Sequence, residues 1–311
     1  MSVASETQTA AAREAPRRPR VTDRARAERR LGYMLVAPAA IVMIAVAAYP
    51  IINAFVLSLQ RSDLRFPSAT KWVGFDNYGH VLASSVWWAD VLHTVIITVI
   101  SVAVELTLGM LLALAMHRSI LARGLLRAIG LIPYGIVTVV AAFSWLYAWQ
   151  FASGWIPGLL GLKTDPTTTT VGSYIIILIA EIWKNTPFMA LLLLGGLALV
   201  PDELQEAARV DGASTWQRFW RITIPLMKPA ILVALLFRTL DAFRIFDVIF
   251  VVNQGANNTE SVSILGYNTL LDRLNLGLGS AVSVLIFVCV VIIAFVYIRL
   301  FGAAFPGSEN L

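Results

Sequence analysis

Residues 200–225 read VPDELQEAARVDGASTWQRFWRITIP, a polar interval between two strongly apolar runs. The pattern predicts two short helices. Pro201 suits a first helical position, and Asp202 and Glu203 place negative charge at the positive end of a helix dipole. Leu204, Ala207 and Ala208 share one face at three-and-four spacing, and Gly212 stands where the helix should end. Ser214 with Gln217 forms a capping-box pattern for a second helix, and Pro225 and Pro229 close the unit. Ala207 and Ala208 have almost no side chain, so another protein's groove could approach the backbone closely, with Glu206 offering a charge at the edge. A solvated pair of surface helices fits the same residues.

Outward from this interval the chain is apolar. Of 311 residues, 58% are hydrophobic and 14% charged, with a mean hydropathy of +0.75. A soluble domain carries roughly 25% charged residues and could not hide this much apolar surface. A span needs about 20 mostly apolar residues. Six stretches qualify, near 35–59, 92–116, 128–149, 172–198, 230–252 and 281–304, so the expected fold class is an all-α integral membrane protein with six transmembrane helices. The run starting at Leu31 follows a 30-residue polar tail and lacks an evident cleavage site, which reads as a retained first helix. Its Pro38 and Pro50 are expected near the helix ends. The expected organisation is a basic tail at 1–30, a six-helix transmembrane domain at 31–305 containing the 200–229 loop, and a short tail at 306–311.

Charge sets the orientation. Eight arginines against four acids fall within residues 1–30. With that tail inside, sixteen basic residues lie on the cytoplasmic side, including Arg118, Arg123, Arg127, Arg209, Arg218, Arg221, Lys228 and Arg299. Only Arg61, Arg65, Lys71, Lys163 and Arg273 lie opposite. The positive-inside rule therefore predicts both termini, and the 200–229 loop, in the cytoplasm. A pI near 9.6 fits contact with anionic lipid and needs no nucleic acid. The single cysteine, Cys289, excludes an intrachain disulfide, and His80, His93 and His117 show no metal-ligand spacing, so no metal site is expected.

The loop resembles the EAA motif, EAA-x3-G-x9-I-x-L-P, of binding-protein-dependent ABC importer permeases. Glu206, Ala207, Ala208, Gly212, Ile222 and Pro225 match it, and Ile224 stands where leucine is usual. Tyr49-Pro50 and the run from Phe246-Asp247 through Asn253-Gln254-Gly255 to Thr259 are similar to the carbohydrate branch of that family, with Ala256 and Asn257 replacing its Gly-Pro. The resemblance implies a type I importer permease (MetI-like) fold in the cell membrane, a half-channel beside a second homologous permease chain. It also implies ATPase subunits that grip Glu206, Ala207, Ala208, Asp211, Gly212, Ile222 and Pro225, and an extracytoplasmic sugar-binding protein or lipoprotein. The implied cargo is a disaccharide such as trehalose. ATP and Mg would sit on the partner ATPase. Consistent with this, the chain has no G-x-x-x-x-G-K-[ST] phosphate loop and no arguable catalytic constellation.

Charges inside the spans complete the reading. Arg238, Asp241, Arg244 and Asp247 recur every three residues with alternating sign, so each can pair with the next. Facing lipid, each would cost on the order of 2.5–3.5 kcal/mol; this face must look into protein or water. Glu181, Lys184 and Asn185 repeat the theme in the fourth span, while the second has only Glu105. With Asn253, these residues form a candidate substrate path, since sugar hydroxyls both donate and accept hydrogen bonds. Self-satisfied glue between helices is the competing reading. Trp145, Trp149 and Trp183 offer faces for sugar rings, or interfacial anchors. A proton relay through Glu181, Asp241 and Asp247 would instead make a secondary transporter.

Overall fold

Thirteen helices account for the computed structural model, which describes residues 23–118 and 123–301. The expected tail at 306–311 and most of the one at 1–30 lie outside the described residues. In chain order the elements are α1 (Asp23–Ser58), β1 (Gln60–Arg61), β2 (Lys71–Trp72), α2 (Asp76–Ala83), α3 (Ser85–Arg118), α4 (Arg123–Gly135), α5 (Thr138–Trp149) and α6 (Ile156–Leu160). They continue with α7 (Thr170–Leu197), α8 (Asp202–Val210), α9 (Thr215–Arg218), α10 (Ile224–Ala242), α11 (Asp247–Val252), α12 (Val262–Tyr267) and α13 (Leu276–Phe301). Residues up to Asn53 form one unit and those from Ala54 a second. Helix α1 starts at Asp23, inside the segment expected as tail, and Pro38 and Pro50 both lie within it.

Five described helices are long and apolar enough to cross a membrane: Arg30–Ser58, Ser85–His117, Thr170–Leu197, Thr215–Ala242 and Leu276–Arg299. The expected third span is not one rod. Helices α4 and α5 meet at 96°, and only counted together do they make a sixth span. Pro133 lies inside α4 two residues before its end at Gly135, and beyond it Val137 is extended at φ −57°, ψ 134°.

The expected fifth span, 230–252, is also corrected. Its helix ends at Ala242, tight turns run from Asp241 to Arg244 and Ala242 to Ile245, and α11 starts afresh at Asp247. No proline or glycine lies there. Tertiary burial of Phe243 and Ile245 accompanies the break, and Asp247 sits at the positive end of the new helix. At its other end the fifth span is longer than expected. Pro225 and Pro229 do not stop it; Thr215–Ala242 runs as one rod. A π-turn at Phe219–Thr223, closed by Ile224 N–H donating to Phe219 O, loosens the backbone just before Pro225.

Helices α3 and α7 form the centre. One apolar cluster joins Ile97, Ala142, Ile176, Ile177 and Ile249; a second joins Val102, Met110, Met189, Leu193, Met227 and Ala234. At Gly109 a Cβ would stand 2.7 Å from Met189 Cγ and 3.2 Å from the Ala190 backbone nitrogen. The missing side chain lets α3 and α7 approach closely, as small residues do between membrane helices. The loops before α2 and before α13 are tied together by backbone: Leu64 N–H donates to Leu274 O at 2.9 Å, and Gly277 N–H to Ser62 O at 3.0 Å. Beside them, side-chain and then backbone hydrogen bonds from Arg65 hold the Asp63 carboxyl down to about 2.

Candidate functional site

A polar cavity of ≈140 Å³ opens between α5, α7 and the break after α10. Its walls carry Glu181, Lys184 and Asn185 from α7, Asp241 from α10, and Arg244 and Asp247 from across the break. Six of the eight residues expected on the substrate path are thus brought together. Thr138, Ile245, Phe246 and Val248, which the path reading did not include, complete the lining. Phe246 belongs to an aromatic trio with Phe250 and Tyr267, each pair 5.2 Å apart between ring centroids.

Arg238 lies behind the wall. Its side chain is 1% exposed, and its guanidinium is held by three helices. Nε donates to Glu105 Oε2 at 2.6 Å and Nη2 to Glu105 Oε1 at 2.9 Å, a bidentate clasp on α3. Nη2 also reaches Glu181 Oε1 at 3.2 Å on α7, and Nη1 donates to Asp241 one turn along α10. Glu105 was legible only as a lone charge in a span, and a lone intramembrane charge requires a partner. The expected ladder therefore forms only at its first rung. Asp241 pairs with Arg238, but Arg244 Nε donates to the Leu240 carbonyl at 3.2 Å, because the helix that would align it with Asp247 has already ended.

Lys184 has a local task. Its Nζ donates to Ile136 O at 2.9 Å and Tyr134 O at 3.5 Å, with Nζ 5.5 Å from the Tyr134 ring centroid. These carbonyls are freed by the 96° break, and a cation at a helix C-terminus is favourable. Asn185 donates to Glu181 Oε1 at 2.8 Å and to Glu181 O at 3.0 Å.

Asn253 stands apart from the cavity. Its Oδ1 accepts from Gly255 N–H at 3.1 Å and its Nδ2 donates to Ala256 O at 2.8 Å, so it organises a turn in which Gln254, Gly255, Asn257 and Asn258 all have positive φ. Asn257, at φ 59°, stands where the resemblance would place a proline, which such a φ forbids. Its amide instead reaches Thr167 O at 2.9 Å and Ser173 Oγ at 3.0 Å. The tryptophans are elsewhere too. Trp145 and Trp183 pack edge to face at 5.9 Å beside an apolar cavity, and Trp149 is buried in the core.

The 200–225 loop folds as α8, a turn and α9. The spacing from Ala208 to Gly212 has a physical cause. Ala213 N–H donates to Ala208 O at 2.9 Å and Gly212 N–H to Arg209 O at 3.1 Å, with Gly212 at φ 82°. That is a complete Schellman ending, whose left-handed residue is favoured as glycine. The capping box forms in full, Gln217 N–H to Ser214 Oγ at 3.3 Å and Ser214 N–H to Gln217 Oε1 at 2.8 Å. Pro201 is the cap of α8 and Asp202 its first residue.

Helix α8 is fastened to the rod below. Gln205 Nε2 donates to Thr223 Oγ1 at 3.0 Å, and Arg218 Nη1 approaches Gln205 O at 3.5 Å. With Gln205 turned inward, Glu206, Ala207, Asp211 and Gly212 are exposed and Ala208 is half-buried. Ile222 is half-buried in the π-turn, and Pro225 is exposed at the head of α10. Val210 is 87% exposed although it lies outside every apolar span.

Residues 105–305 match the family described as "Binding-protein-dependent transport system inner membrane component". The chain belongs to that family. The permease is also 57% identical over 283 residues to the trehalose transport system permease protein SugA of Mycobacterium tuberculosis, covering 91% of this chain and 92% of that one. It is 39% identical over 278 residues to the trehalose/maltose transport system permease protein MalF of Thermococcus litoralis, covering 88% and 94%. A solved bacterial alginate ABC transporter contains a chain that superposes with a TM-score of 0.76 at 20% identity, over 91% of the permease and 97% of that chain; this likeness shows the fold. The permease is therefore an inner-membrane, multi-pass subunit of an ABC importer and not an enzyme. Its family works with an ATPase and a substrate-binding protein. The proton-relay reading of Glu181, Asp241 and Asp247 has no support: Glu181 is already bonded to Arg238 and Asn185.

Proposed function

We propose that the permease forms half of the translocation path for a neutral disaccharide, with trehalose as cargo, beside a second homologous permease chain. The observation that carries this is the polar cavity. Its carboxylates, amide and cations offer acceptors and donors in near balance, which suits hydroxyls more than a phosphate. The names of the two sequence relatives point the same way.

The loop at 200–229 and both termini face the cytoplasm, as the positive-inside count favours. Partner ATPases bind ATP and Mg, and grip Glu206, Ala207, Ala208, Asp211 and Gly212; no cofactor is assigned to this chain. Closure of the ATPases on nucleotide displaces α8. Through Gln205 and Thr223 that displacement reaches the Thr215–Ala242 rod, about 40 Å long at 1.5 Å per residue. The rod's far end carries Arg238 and Asp241, so movement in the cytoplasm changes the cavity wall. The cavity opens outward to receive sugar from the binding protein, and hydrolysis resets it inward.

The test is reconstitution of the permease with its partner chain, ATPase and binding protein in proteoliposomes. Labelled trehalose should enter with ATP hydrolysis, ahead of maltose, while glycerol 3-phosphate should not. Uptake of the phosphate at the sugar's rate would refute the cargo assignment.

A further inference from the structure

Arg238 belongs by sequence to the candidate cargo path, yet its side chain is buried and most of its donors are already engaged. Of the five N–H donors on a guanidinium, four are engaged: two by Glu105, one by Glu181 and one by Asp241. Asp241 is its opposite. That side chain is 63% exposed and lines the cavity. One of its oxygens is fixed by Arg238, and the other accepts no hydrogen bond among the described residues.

The geometry points to Glu105 and Arg238 as a positioning pair for the cargo site. Glu105, on α3, clasps the guanidinium through two bonds and sets its plane. Arg238 then anchors one oxygen of Asp241, so that the other is presented to a hydroxyl of a neutral polyol. The same guanidinium orients a second acceptor. Glu181 Oε1, held by Arg238, takes a hydrogen from Asn185 Nδ2, whose other hydrogen goes to the Glu181 carbonyl. Asn185 Oδ1 is then the group left on the cavity wall. A carboxylate pinned in advance loses less freedom when cargo binds than one that must first be ordered.

This inference rests on the cavity being the cargo path, and the experiment separates the two. The probe is radiolabelled trehalose, bound at equilibrium to the assembled transporter in lipid nanodiscs without binding protein, so that affinity reports the membrane cavity. Asp241→Asn should weaken binding about tenfold, the loss of a charge-assisted hydrogen bond. Glu105→Gln should weaken it severalfold in the parent, but by less than about twofold once Asp241→Asn is present, because residues acting through one another are not additive. Equal fold-losses in both backgrounds overturn the positioning role. No loss from Asp241→Asn alone overturns the cargo-path reading instead. Arg238→Lys keeps the charge and loses the fork, and serves as the second variant: it too should be non-additive with Asp241→Asn, and additivity there refutes the pair.

Discussion

Substituting Gly212 isolates what the helix ending at α8 contributes to coupling. The glycine sits at φ 82°, and a Cβ placed there meets nothing within 4 Å. Any penalty for a larger residue therefore comes from the backbone and not from a clash within this chain. Holding a non-glycine residue in the left-handed region costs roughly 1–2 kcal/mol, with asparagine an exception. The loop can avoid that cost only by unwinding, which gives up the hydrogen bonds from Ala213 to Ala208 and from Gly212 to Arg209, each worth about 0.5–1.5 kcal/mol. The two routes cost about the same. Helix α8 has no buried residue of its own, so a loss of 1–2 kcal/mol shifts its folded population about 5–30-fold. In proteoliposomes the ratio of cargo imported to ATP hydrolysed should fall in the order Gly212, Gly212→Asn, Gly212→Ala, Gly212→Val. Asparagine performing as badly as valine would refute the argument, for the obstacle would then be a side chain meeting the partner.

Three further outcomes follow from the geometry. Lys184→Met leaves the Ile136 and Tyr134 carbonyls without their ammonium partner, at about 1–3 kcal/mol; hydrogen exchange should quicken in α4 and α5 more than in α13, and uniform protection would contradict the capping role. Gly109→Leu places a side chain where a Cβ already stands 2.7 Å from Met189 Cγ; the thermal midpoint of the assembled transporter should fall by the equivalent of about 1–3 kcal/mol, and an unchanged midpoint would show that α3 and α7 are not packed this closely. Asn257→Pro installs the residue the resemblance would place there, at a φ of 59° that proline cannot adopt. It also removes the bonds to Thr167 and Ser173, so limited proteolysis should cut the 253–260 turn faster, and slower cutting would refute the argument.

Much of this architecture is written in local chemistry. The spans follow from hydropathy, since lipid demands apolar length whatever the neighbours do. The end of α8 at Gly212 and the Ser214–Gln217 box are contacts within five residues, so sequence spacing suffices to read them. Both helix breaks show where that stops. Pro133 and Gly135 were signals for the first, masked by a continuous apolar run that reads as one span. The second, between Ala242 and Asp247, has no local signal, because it is set by where Phe243 and Ile245 find burial. Pro225 and Pro229 mislead in the opposite direction: a π-turn precedes Pro225 at the head of α10, and Pro229 lies inside a helix that continues past it. Glu105 and Arg238 are 133 residues apart; each is legible as a charge needing a partner, and only the fold identifies which.

The two breaks and the charge network divide the labour of movement. Arg238 joins α3 and α7 to α10 through three buried hydrogen bonds to Glu105 and Glu181, and cutting one partner out of such a network leaves an uncompensated charge, a loss of about 3–5 kcal/mol. Those three helices therefore resist separation. Lys184 holds the α4–α5 break by one ammonium on two carbonyls, a weaker tie, and the chain just after Ala242 is joined to the rod by tight turns and the bond from Arg244 to the Leu240 carbonyl. Asp241 lies on the rigid side of that boundary, while Thr138, Arg244 and Asp247 lie beyond the breaks, and all four line the same cavity. A push on α8 that tilts the rod must then change the separation of these groups without dismantling the Arg238 network. The costly buried charges fix one wall of the cavity, so that the inexpensive breaks let the other wall move.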